Sequence, residues 1–308
     1  MNPTTYSTLE IHSDAINLLI CAVTSEAGLV KFRPLERFGE VLELSSELAA
    51  NNTLSADSIN KLEITLRKYG KIAHRNSGTV FVAASGAVAR ARNAPEVFER
   101  LSAAAGETIH LMSQTRESAL AADALRERMD ETGDQLIIDV GSAFTYVALT
   151  SGREIVAQAW LPVGTTGLSA ILVGDPPGAL SWSLLASRVG FALQALPQGN
   201  KPLKAWATGS AAHNLVGLDR KEDQAADHKL CLPDLSTLAD QLMAQSAKKV
   251  ARHLGEDLRR IVLLPPGLVV MSAILDNYGL AEVTVVPEGL REGIIRRGVK
   301  SPETWWKD

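Results

Sequence analysis

The segment DQLIIDVGSAFTYVAL, residues 134–149, constrains the fold of this chain more than any other. An apolar run delivers Asp139 to a tight turn at Val140, Gly141 and Ser142, and a second apolar run leaves the turn. A carboxylate at a strand end beside a glycine turn can hold a divalent cation, while the N–H groups of the turn face a phosphate. The segment therefore predicts two adjacent strands joined by a phosphate-binding loop.

A degraded copy of this pattern lies near the N-terminus, in LEIHSDAINLLICAV at residues 9–23. Glu10 occupies the position of Asp139, and His12 occupies that of Gly141. Two such units indicate an internal duplication, which is the organisation of the actin-like (ribonuclease H-like) phosphotransfer fold. We expect two related α/β domains with mixed sheets and a cleft between them in which the two loops face each other.

Strands and helices alternate along the rest of the chain, which is typical of an α/β fold. In the first half we expect two or three strands in residues 7–38, followed by a helix capped near 53–57 and a strand at 78–85. A helix from Asn93 to Gly106, a strand at 108–112 and a helix at 113–129 with Ser113 as N-cap are expected next. In the second half we expect strands at 134–139, 144–150, 154–162, 203–208, 260–264 and 282–286, and helices near 165–173, 181–196, 236–254 and 267–278. The polar residues 130–134 separate the halves, so we expect domains at 1–130 and 131–308.

Composition narrows the class of protein. Hydrophobic residues make up 46% and charged residues 21% of the chain, and the net charge of -4 argues against a general basic field for nucleic acid. Cys21 and Cys231 have neither zinc spacing nor a disulfide framework, which fits a reducing cytoplasm. There is no signal-peptide pattern and no apolar run near the about 20 residues that span a bilayer. We expect a cytoplasmic protein without nucleic-acid or membrane partners, whose charged run 219–229 is solvated surface.

Several segments, read together, resemble the Ppx/GppA family of exopolyphosphatases and guanosine pentaphosphate phosphohydrolases over nearly the whole chain. LEIHSDAINLL resembles the first family loop, I-D-I-G-S-N-S, and LIIDVGSAFTYVAL resembles the second, D-I-G-G-G-S-T-E. AASGAVARARN resembles A-T-S-A-x-R-x-A-x-N, and SQTRESALAADAL resembles S-G-x-E-E-A-R. The best match is LLPPGLVVMSAIL followed by VTVVPEGLREGII, within residues 263–295.

The resemblance implies hydrolysis of the terminal phosphoanhydride of inorganic polyphosphate or guanosine pentaphosphate. Glu117 stands where the family has its water-activating glutamate. Asp139, together with Glu10, would hold Mg²⁺ or Mn²⁺. The residues expected to bind phosphate are Ser13, Gly141, Ser142, Thr145, Gly209 and Ser210. The ligand would be polyphosphate or guanosine pentaphosphate, and a homodimer stays open.

The chain departs from the family pattern at several of these positions. In and after the first loop, Glu10 stands where the family has Asp, His12 where it has Gly, and Asp14 where it has Asn. In AASGAVARARN the family Arg is replaced by Ala89, which Arg90 and Arg92 flank. Further along, Phe144 and Tyr146 stand where the family has Ser and Glu, and Gly167 stands where it has Arg. Losing one transition-state donor typically costs about 3 kcal/mol, so several losses together can abolish turnover. The alternative is therefore an inactive homologue that binds an anionic ligand or a protein partner in a regulatory role. An ATP-dependent kinase or ATPase of the same fold ranks third.

The candidate residues also have ordinary structural interpretations. Asp139 could cap a turn at a strand end, and Glu117 could be a first-turn carboxylate that faces the helix dipole or pairs with Arg116. His12 could be a cleft histidine, a phosphate donor or a metal ligand. Trp305 and Trp306 are expected to anchor the C-terminal tail in a groove or on a partner surface.

Overall fold

The computed structural model describes residues 3–13, 15–26, 29–42, 44–126, 128–217 and 227–308. The chain forms two compact units, the first being Met1–Ala124 with Leu290–Asp308 and the second Leu125–Gly289. The expected division at residue 130 differs from this because the last helix and tail belong to the first unit. Most of the charged run 219–229 and the replaced residue Asp14 lie outside the described residues.

Eleven strands are assigned in the described residues: β1 Thr4–Ile11, β2 Ala15–Glu26, β3 Leu29–Val41, β4 Thr79–Ala84, β5 Ile109–Leu111, β6 Asp134–Val140, β7 Thr145–Ser151, β8 Glu154–Leu161, β9 Lys204–Thr208, β10 His228–Cys231 and β11 Glu282–Val285. The α-helices of the same residues are α1 Ser45–Asn51, α2 Ala56–Asn76, α3 Gly86–Ala89, α4 Ala94–Ala105, α5 Gln114–Leu125, α6 Thr165–Ser169, α7 Ala179–Ala192, α8 Gly209–Gly217, α9 Leu232–Ala244, α10 Ala247–Leu254, α11 Leu258–Val262, α12 Leu264–Tyr278 and α13 Leu290–Lys300. A short 3₁₀ turn, Leu193–Ala195, follows α7.

The sheet of the first unit has the order β3-β2-β1-β4-β5. The β1–β2 and β2–β3 pairs are antiparallel, whereas β1–β4 and β4–β5 are parallel. Parallel pairing places the carboxyl ends of β1 and β4 side by side, with Glu10 opposite Ala83. The segments that follow these two strands therefore start from the same edge of the sheet.

The sheet of the second unit repeats this scheme in the order β10-β11-β9-β6-β7-β8. The β6–β7 and β7–β8 pairs are antiparallel, and β6–β9 is parallel with Asp139 opposite Thr208. Asp139 pairs with Tyr146 across β6–β7, as Glu10 pairs with Asn17 across β1–β2. The duplication expected from the sequence is present in the topology of both sheets.

Apolar faces and caps explain the helices that cover the sheets. In α2, Leu62 and Leu66 are fully buried, and burial of each such side chain contributes about 2 kcal/mol. Ser55 caps this helix by accepting a hydrogen bond from Ser58 N at 3.3 Å. α4 begins beside Pro95 and ends at Gly106, whose φ of 78° suits a left-handed C-cap. These caps lie where the sequence predicts them.

Three expectations for the second unit are corrected. Residues 260–264, expected as a strand, form α11 and the start of α12, because Ile261 and Leu264 bury one face at helical spacing. A short apolar run cannot distinguish the two structures. The helix expected at 236–254 is two helices, α9 and α10, and Ser246 caps the second by accepting from Lys249 N. The helix α8, directly after β9, was not expected.

One helical segment within the described residues, Arg260–Tyr278, is long and apolar enough to cross a bilayer. About 56% of its apolar window is buried inside the protein. Its apolar side chains, including Leu268, Met271 and Ile274, belong to the core of the second unit. The segment therefore fits a core helix of a folded domain.

Candidate active site

Glu10 lies at the end of β1, in a polar pocket of the first unit. Ser85, the residue after β4, donates a hydrogen bond from Oγ to Glu10 Oε1 at 3.0 Å. Arg291, in the first turn of α13, places Nε 3.9 Å from Glu10 Oε2. The Arg291 backbone is held by Thr8 Oγ1, which donates to its carbonyl at 3.2 Å. Glu10 is therefore a partly buried carboxylate with a hydroxyl donor and a guanidinium beside it.

Glu117 lies in the first turn of α5, and Glu10 is close enough for its charge to act on the Glu117 carboxyl. Ser113 caps the helix as predicted, since its Oγ accepts from Arg116 N at 3.0 Å. Gly86 N donates to Glu117 Oε2 at 2.9 Å. Gly86 has a φ of 62°, a left-handed conformation that glycine adopts without strain, and this turns its N–H toward the carboxylate. Glu10, Ser85, Gly86 and Glu117 are called the carboxylate cluster below.

Burial raises the pKa of Glu117 from 4.5 to about 7. The hydrogen bond from Gly86 opposes that rise, the negative charge of Glu10 adds to it, and the positive charge of Arg90 lowers the pKa. A carboxyl whose pKa lies near neutrality exchanges a proton readily at physiological pH, which is the property of a general base. Arg116 does not pair with Glu117, because its guanidinium donates to the Trp305 carbonyl, with Nε at 2.6 Å.

The degraded first loop is stabilised by its own hydrogen bonds. His12 N donates to Ala15 O at 2.9 Å, which closes the turn between β1 and β2. Ser13 is 1% exposed, and its Oγ accepts from Ala87 N at 3.1 Å. This geometry argues against the predicted contact between Ser13 and phosphate, since the hydroxyl is enclosed and already holds the neighbouring turn.

Asp139 lies at the end of β6, in the second unit, beside the first turn of α8. Gly209 begins this helix with a φ of 85°, and a Cβ at that position would collide with Asp139 Oδ1. The carboxylate therefore approaches the positive end of the α8 dipole at a site that only glycine leaves open. Ser210 is exposed in the same turn. The phosphate-binding roles of Gly209 and Ser210, and the metal-binding role of Asp139, stay predictions.

The turn at residues 141–144, called the glycine turn below, uses much of its own hydrogen-bonding capacity. Gly141 N donates to Phe144 O at 3.0 Å, so this amide is already paired. The carbonyls of Gly141 and Ser142 accept from Thr165 N and Thr166 N, each at 3.0 Å. Gly164 lies against Ala143 so closely that a Cβ there would collide with it. Gly141 is thus poorly placed to present its N–H to phosphate, while the role of Ser142 stays a prediction.

Two side chains that follow the glycine turn point into the protein. Thr145 is fully buried, and its hydroxyl donates to Val163 O at 2.7 Å, which argues against the predicted phosphate contact. Tyr146 is 1% exposed and donates from its hydroxyl to Gln158 Oε1 at 2.8 Å. Burial and the charge of Asp139 both raise the pKa of Tyr146, so the phenol stays neutral. These residues stabilise the hairpin.

The carboxylates can be tested as a metal site by their chemistry. The described residues contain no group of three or more His, Cys, Asp or Glu side chains that could hold a metal ion. Mg²⁺ commonly takes only one or two protein carboxylates and completes its shell with water and substrate phosphates. The carboxylates of Glu10 and Asp139 are oxygen donors of this kind. Each carboxylate, taken within its own unit, has the donor chemistry that Mg²⁺ accepts, and its metal-binding role stays a prediction.

Residues 21–301 match the model of the Ppx/GppA phosphatase family. The chain belongs to this family. An uncharacterised Streptomyces coelicolor protein is 24% identical over 98% of this chain and 92% of its own length. The guanosine-5'-triphosphate,3'-diphosphate pyrophosphatase of Vibrio cholerae is 22% identical over 94% of the chain but only 58% of its own length. The chain thus spans about three fifths of that Ppx/GppA relative.

Solved structures of Ppx/GppA proteins have the same fold. The Aquifex aeolicus family member gives a TM-score of 0.84 at 19% identity, covering 98% of this chain and 99% of the other. An exopolyphosphatase from Cytophaga hutchinsonii gives 0.83 at 15% identity, covering 96% and 98%. The α/β, actin-like fold with two mixed sheets is therefore confirmed. At these identities the likeness shows the fold alone.

The sequence analysis did not identify Ser85, Gly86 and Arg291 as neighbours of the candidate carboxylates. Ser85 and Gly86 lie in AASGAVARARN, where a Ser-Gly pair directly after a buried strand is a signal for a turn. Arg90 acts electrostatically on Glu117, whereas Arg92 donates to Asn51 O at 3.0 Å on the surface. Arg291, in the first turn of α13, lies beside Glu10.

Proposed function

We propose that this chain is a phosphohydrolase that removes the terminal phosphate of inorganic polyphosphate or guanosine pentaphosphate, with Glu117 as the water-activating base. The observation that carries the proposal is the environment of Glu117, a carboxyl with a pKa raised to about 7 and oriented by Gly86 N. Membership of the Ppx/GppA phosphatase family supports the reaction class. The finer identity of the substrate is part of the proposal.

In this mechanism the Glu117 carboxylate accepts a proton from a water molecule as the water oxygen attacks the terminal phosphorus. A new P–O bond forms, the bridging P–O bond breaks, and the leaving oxygen departs on the shortened chain. Gly86 N fixes one carboxylate oxygen, which leaves the other to face the water. General-base assistance of this kind contributes about 10²–10⁴ in rate.

Positive charge near the pocket would offset the charge that develops on phosphate. Arg90 is close enough to Glu117 to lower its pKa, and it is our candidate for the function of the Arg that Ala89 replaces. We also propose Mg²⁺ or Mn²⁺ as cofactor, with Glu10 and Asp139 as its carboxylate ligands. When bound, the cation would neutralise phosphate oxygens and the leaving group.

Phosphate release by the purified chain tests this proposal. Wild-type protein with Mg²⁺ or Mn²⁺ should release phosphate from polyphosphate or guanosine pentaphosphate, and Glu117→Gln should lower kcat by about a hundredfold or more. Gln keeps the acceptor for Gly86 N, so the fold should be unaffected. Glu107→Gln, at a half-exposed carboxylate of the same unit, is the matched control. Absence of release with both substrates and both metals would refute the enzyme proposal.

The second candidate is an inactive homologue with a regulatory role, and the hydrogen bonds made by the expected phosphate-binding groups favour it. Gly141 N, Ser13 Oγ and Thr145 Oγ1 are engaged inside the protein, so the phosphate-binding groups expected from the family are reduced. This candidate predicts binding of polyphosphate or guanosine pentaphosphate without turnover. Titration calorimetry that shows no heat with either ligand, in protein that also releases no phosphate, would exclude it.

The setting and assembly of the protein are also proposals. We propose a reducing, cytoplasmic setting, which is compatible with Cys21 and Cys231 not being joined in a disulfide. Polyphosphate or guanosine pentaphosphate would be the physiological ligand, and a homodimer stays open. Mass photometry of the purified chain would settle the assembly.

A further inference from the structure

The last segment of the chain, Leu290–Asp308, contacts helix α5 on one face over most of its length. Ser113 Oγ donates to Asp308 Oδ1 at 2.5 Å, and Arg116 donates to the Trp305 carbonyl. One to two turns later, Leu120 O lies against Gly293, where a Cβ would collide with it. In the last turn, Arg297 donates to Asp123 Oδ2 at 2.6 Å.

These contacts recur at helical spacing. Ser113, Arg116, Leu120 and Asp123 are separated by three, four and three residues, and residues so spaced share a helix face. The last segment is therefore matched to α5 turn by turn. The matching elements are far apart in the chain, because the whole second unit lies between them. The helix that carries Glu117 therefore packs against a segment that follows the whole second unit in the sequence.

Aromatic packing fixes the tail that makes the first two contacts. Trp305 is 2% exposed and meets Phe81 of β4 edge to face, with ring centroids 5.5 Å apart. Trp306 stacks on His110 at 3.8 Å, and burial lowers the pKa of His110, which keeps its ring neutral. The expectation that the tryptophans anchor the tail is thus realised on the first unit's own surface. Because the Trp305 side chain is packed in place, its carbonyl gives the Arg116 guanidinium an immobile acceptor.

Glu117 depends on the position of α5. It is the residue after Arg116, and its hydrogen bond to Gly86 N joins α5 to the turn after β4. A shift of α5 by about 1 Å would break this bond and admit water to the carboxyl. The last segment also carries Arg291, which lies 3.9 Å from Glu10. The same segment thus lies beside Glu10 through Arg291 and is linked to the residue before Glu117 through Arg116.

We propose that the segment Leu290–Asp308 positions the catalytic carboxyl, and that Arg116 is the positioning residue through which the tail holds Glu117 against Gly86. Arg116 does not touch the reacting atoms; it ties the first turn of α5 to a backbone oxygen that the buried Trp305 immobilises. The catalytic part of this proposal rests on the proposed function. The structural part concerns the geometry of Glu117 and holds with or without turnover.

The groups that face Glu117 define what a displacement would change. Glu10 projects from β1, Arg90 follows α3, and Gly86 N comes from the turn after β4. Arg291, from α13, reaches Glu10. Since burial is the largest cause of the raised pKa, loosening α5 should lower the pKa of Glu117 toward its ordinary value. A tail that only adds stability would leave the titration of Glu117 unchanged in the folded protein.

The test compares Arg116→Ala and Arg116→Lys in the full chain with Arg100→Ala as control. Arg100 is a solvent-exposed arginine on α4 whose ion pair with Glu63 spans 3.8 Å. The Glu117 titration is followed by carboxyl ¹³C NMR, assigned with Glu117→Gln, and kcat and KM are measured for phosphate release. Should Arg116→Ala fail to fold by circular dichroism, Trp306→Ala, which removes the stack on His110, takes its place.

We expect Arg116→Ala to lower the Glu117 midpoint by about half a unit or more and kcat by about tenfold, with KM nearly unchanged. Arg116→Lys should restore part of both, because one donor can still reach the carbonyl, and Arg100→Ala should change neither. An unchanged Glu117 midpoint and kcat in folded Arg116→Ala would overturn the proposal. If wild type releases no phosphate, the proposed function fails, while the NMR midpoints alone still decide the positioning claim.

Discussion

Glu10, in the carboxylate cluster of the first unit, and Asp139, beside the glycine turn of the second, lie at equivalent strand ends, yet their surroundings differ. The first unit has lost the glycine of its loop, but it keeps Glu10 and Glu117 near each other, with a turn amide and two arginines in the same pocket. The second unit keeps Gly141 and Asp139, but its turn closes on itself through Gly141 N and Phe144 O.

The difference teaches that sequence similarity to a loop and retention of its chemistry are separate properties. The motif that is easier to recognise, DVGSAFTY, now stabilises a hairpin through Thr145 and Tyr146. The first unit, whose loop is harder to recognise, carries Glu117 on α5, a carboxyl with a pKa near neutrality. The proton-transfer step that we propose therefore involves Glu117 of the first unit, whereas the second unit offers Asp139 beside the first turn of α8.

The largest effect that would break this comparison concerns Asp139. If the second unit contributes a metal ligand, Asp139→Asn should raise the Mg²⁺ concentration needed for half-maximal phosphate release by about tenfold or more. Asp134→Asn, at the other end of β6, is the control and should leave this concentration unchanged. An Mg²⁺ dependence equal to that of wild type would remove Asp139 from the metal site.

A medium-sized effect sharpens the account of the first unit. Glu10→Gln removes a negative charge that raises the pKa of Glu117, whereas Arg90→Gln removes a positive charge that lowers it. The Glu117 titration midpoint, followed by carboxyl ¹³C NMR in metal-free protein, should therefore fall in the first variant and rise in the second, each by about half a unit. Arg92→Gln, at an arginine bound to Asn51 O, should not move it. Shifts of the same sign in both charge variants would be inconsistent with this cluster.

The smallest effect concerns Thr145, the residue that directly follows the glycine turn. Thr145→Val removes the hydrogen bond to Val163 O and should lower the free energy of unfolding by about 1 kcal/mol. Binding of polyphosphate, measured by calorimetry, should stay within error of wild type. Thr150→Val is a matched control on the same strand, where a buried hydroxyl donates to Gln135 O. A loss of polyphosphate affinity confined to Thr145→Val would restore the predicted phosphate contact.

Local patterns predicted much of the fold. Strands β4, β6 and β7 follow apolar runs, and Ser55, Ser113 and Gly106 cap helices where the sequence signals a cap. The strand expected at 260–264 is wrong because a short run with β-branched apolar residues is compatible with a strand or a helix until the buried face is known. The place of α13 in the first unit could not be predicted, since packing against Leu120 O involves residues 173 positions apart in the sequence.

The sequence could predict the members of the candidate site only where the residue type within a motif indicates a role. Glu117 follows from its motif, but its raised pKa arises from burial and from Glu10, which no local pattern reveals. The hydrogen-bond partners of Ser13 and Thr145 could not be predicted either, because a hydroxyl can bind phosphate or a nearby backbone group. Arg291 comes to Glu10 through the packing of the last helix. Such features require the tertiary structure.

The central claim is that Glu117 is the base, and the pH dependence of kcat/KM tests it most directly. Because burial raises the Glu117 pKa to about 7, the carboxyl is protonated and inactive well below that pH and becomes a competent base above it. We predict that the rate of phosphate release rises with pH, reaches half its maximum near pH 7, and that this rise disappears in Glu117→Gln. A rate that is flat from pH 5 to pH 9, or a rise that persists in Glu117→Gln, would contradict the account.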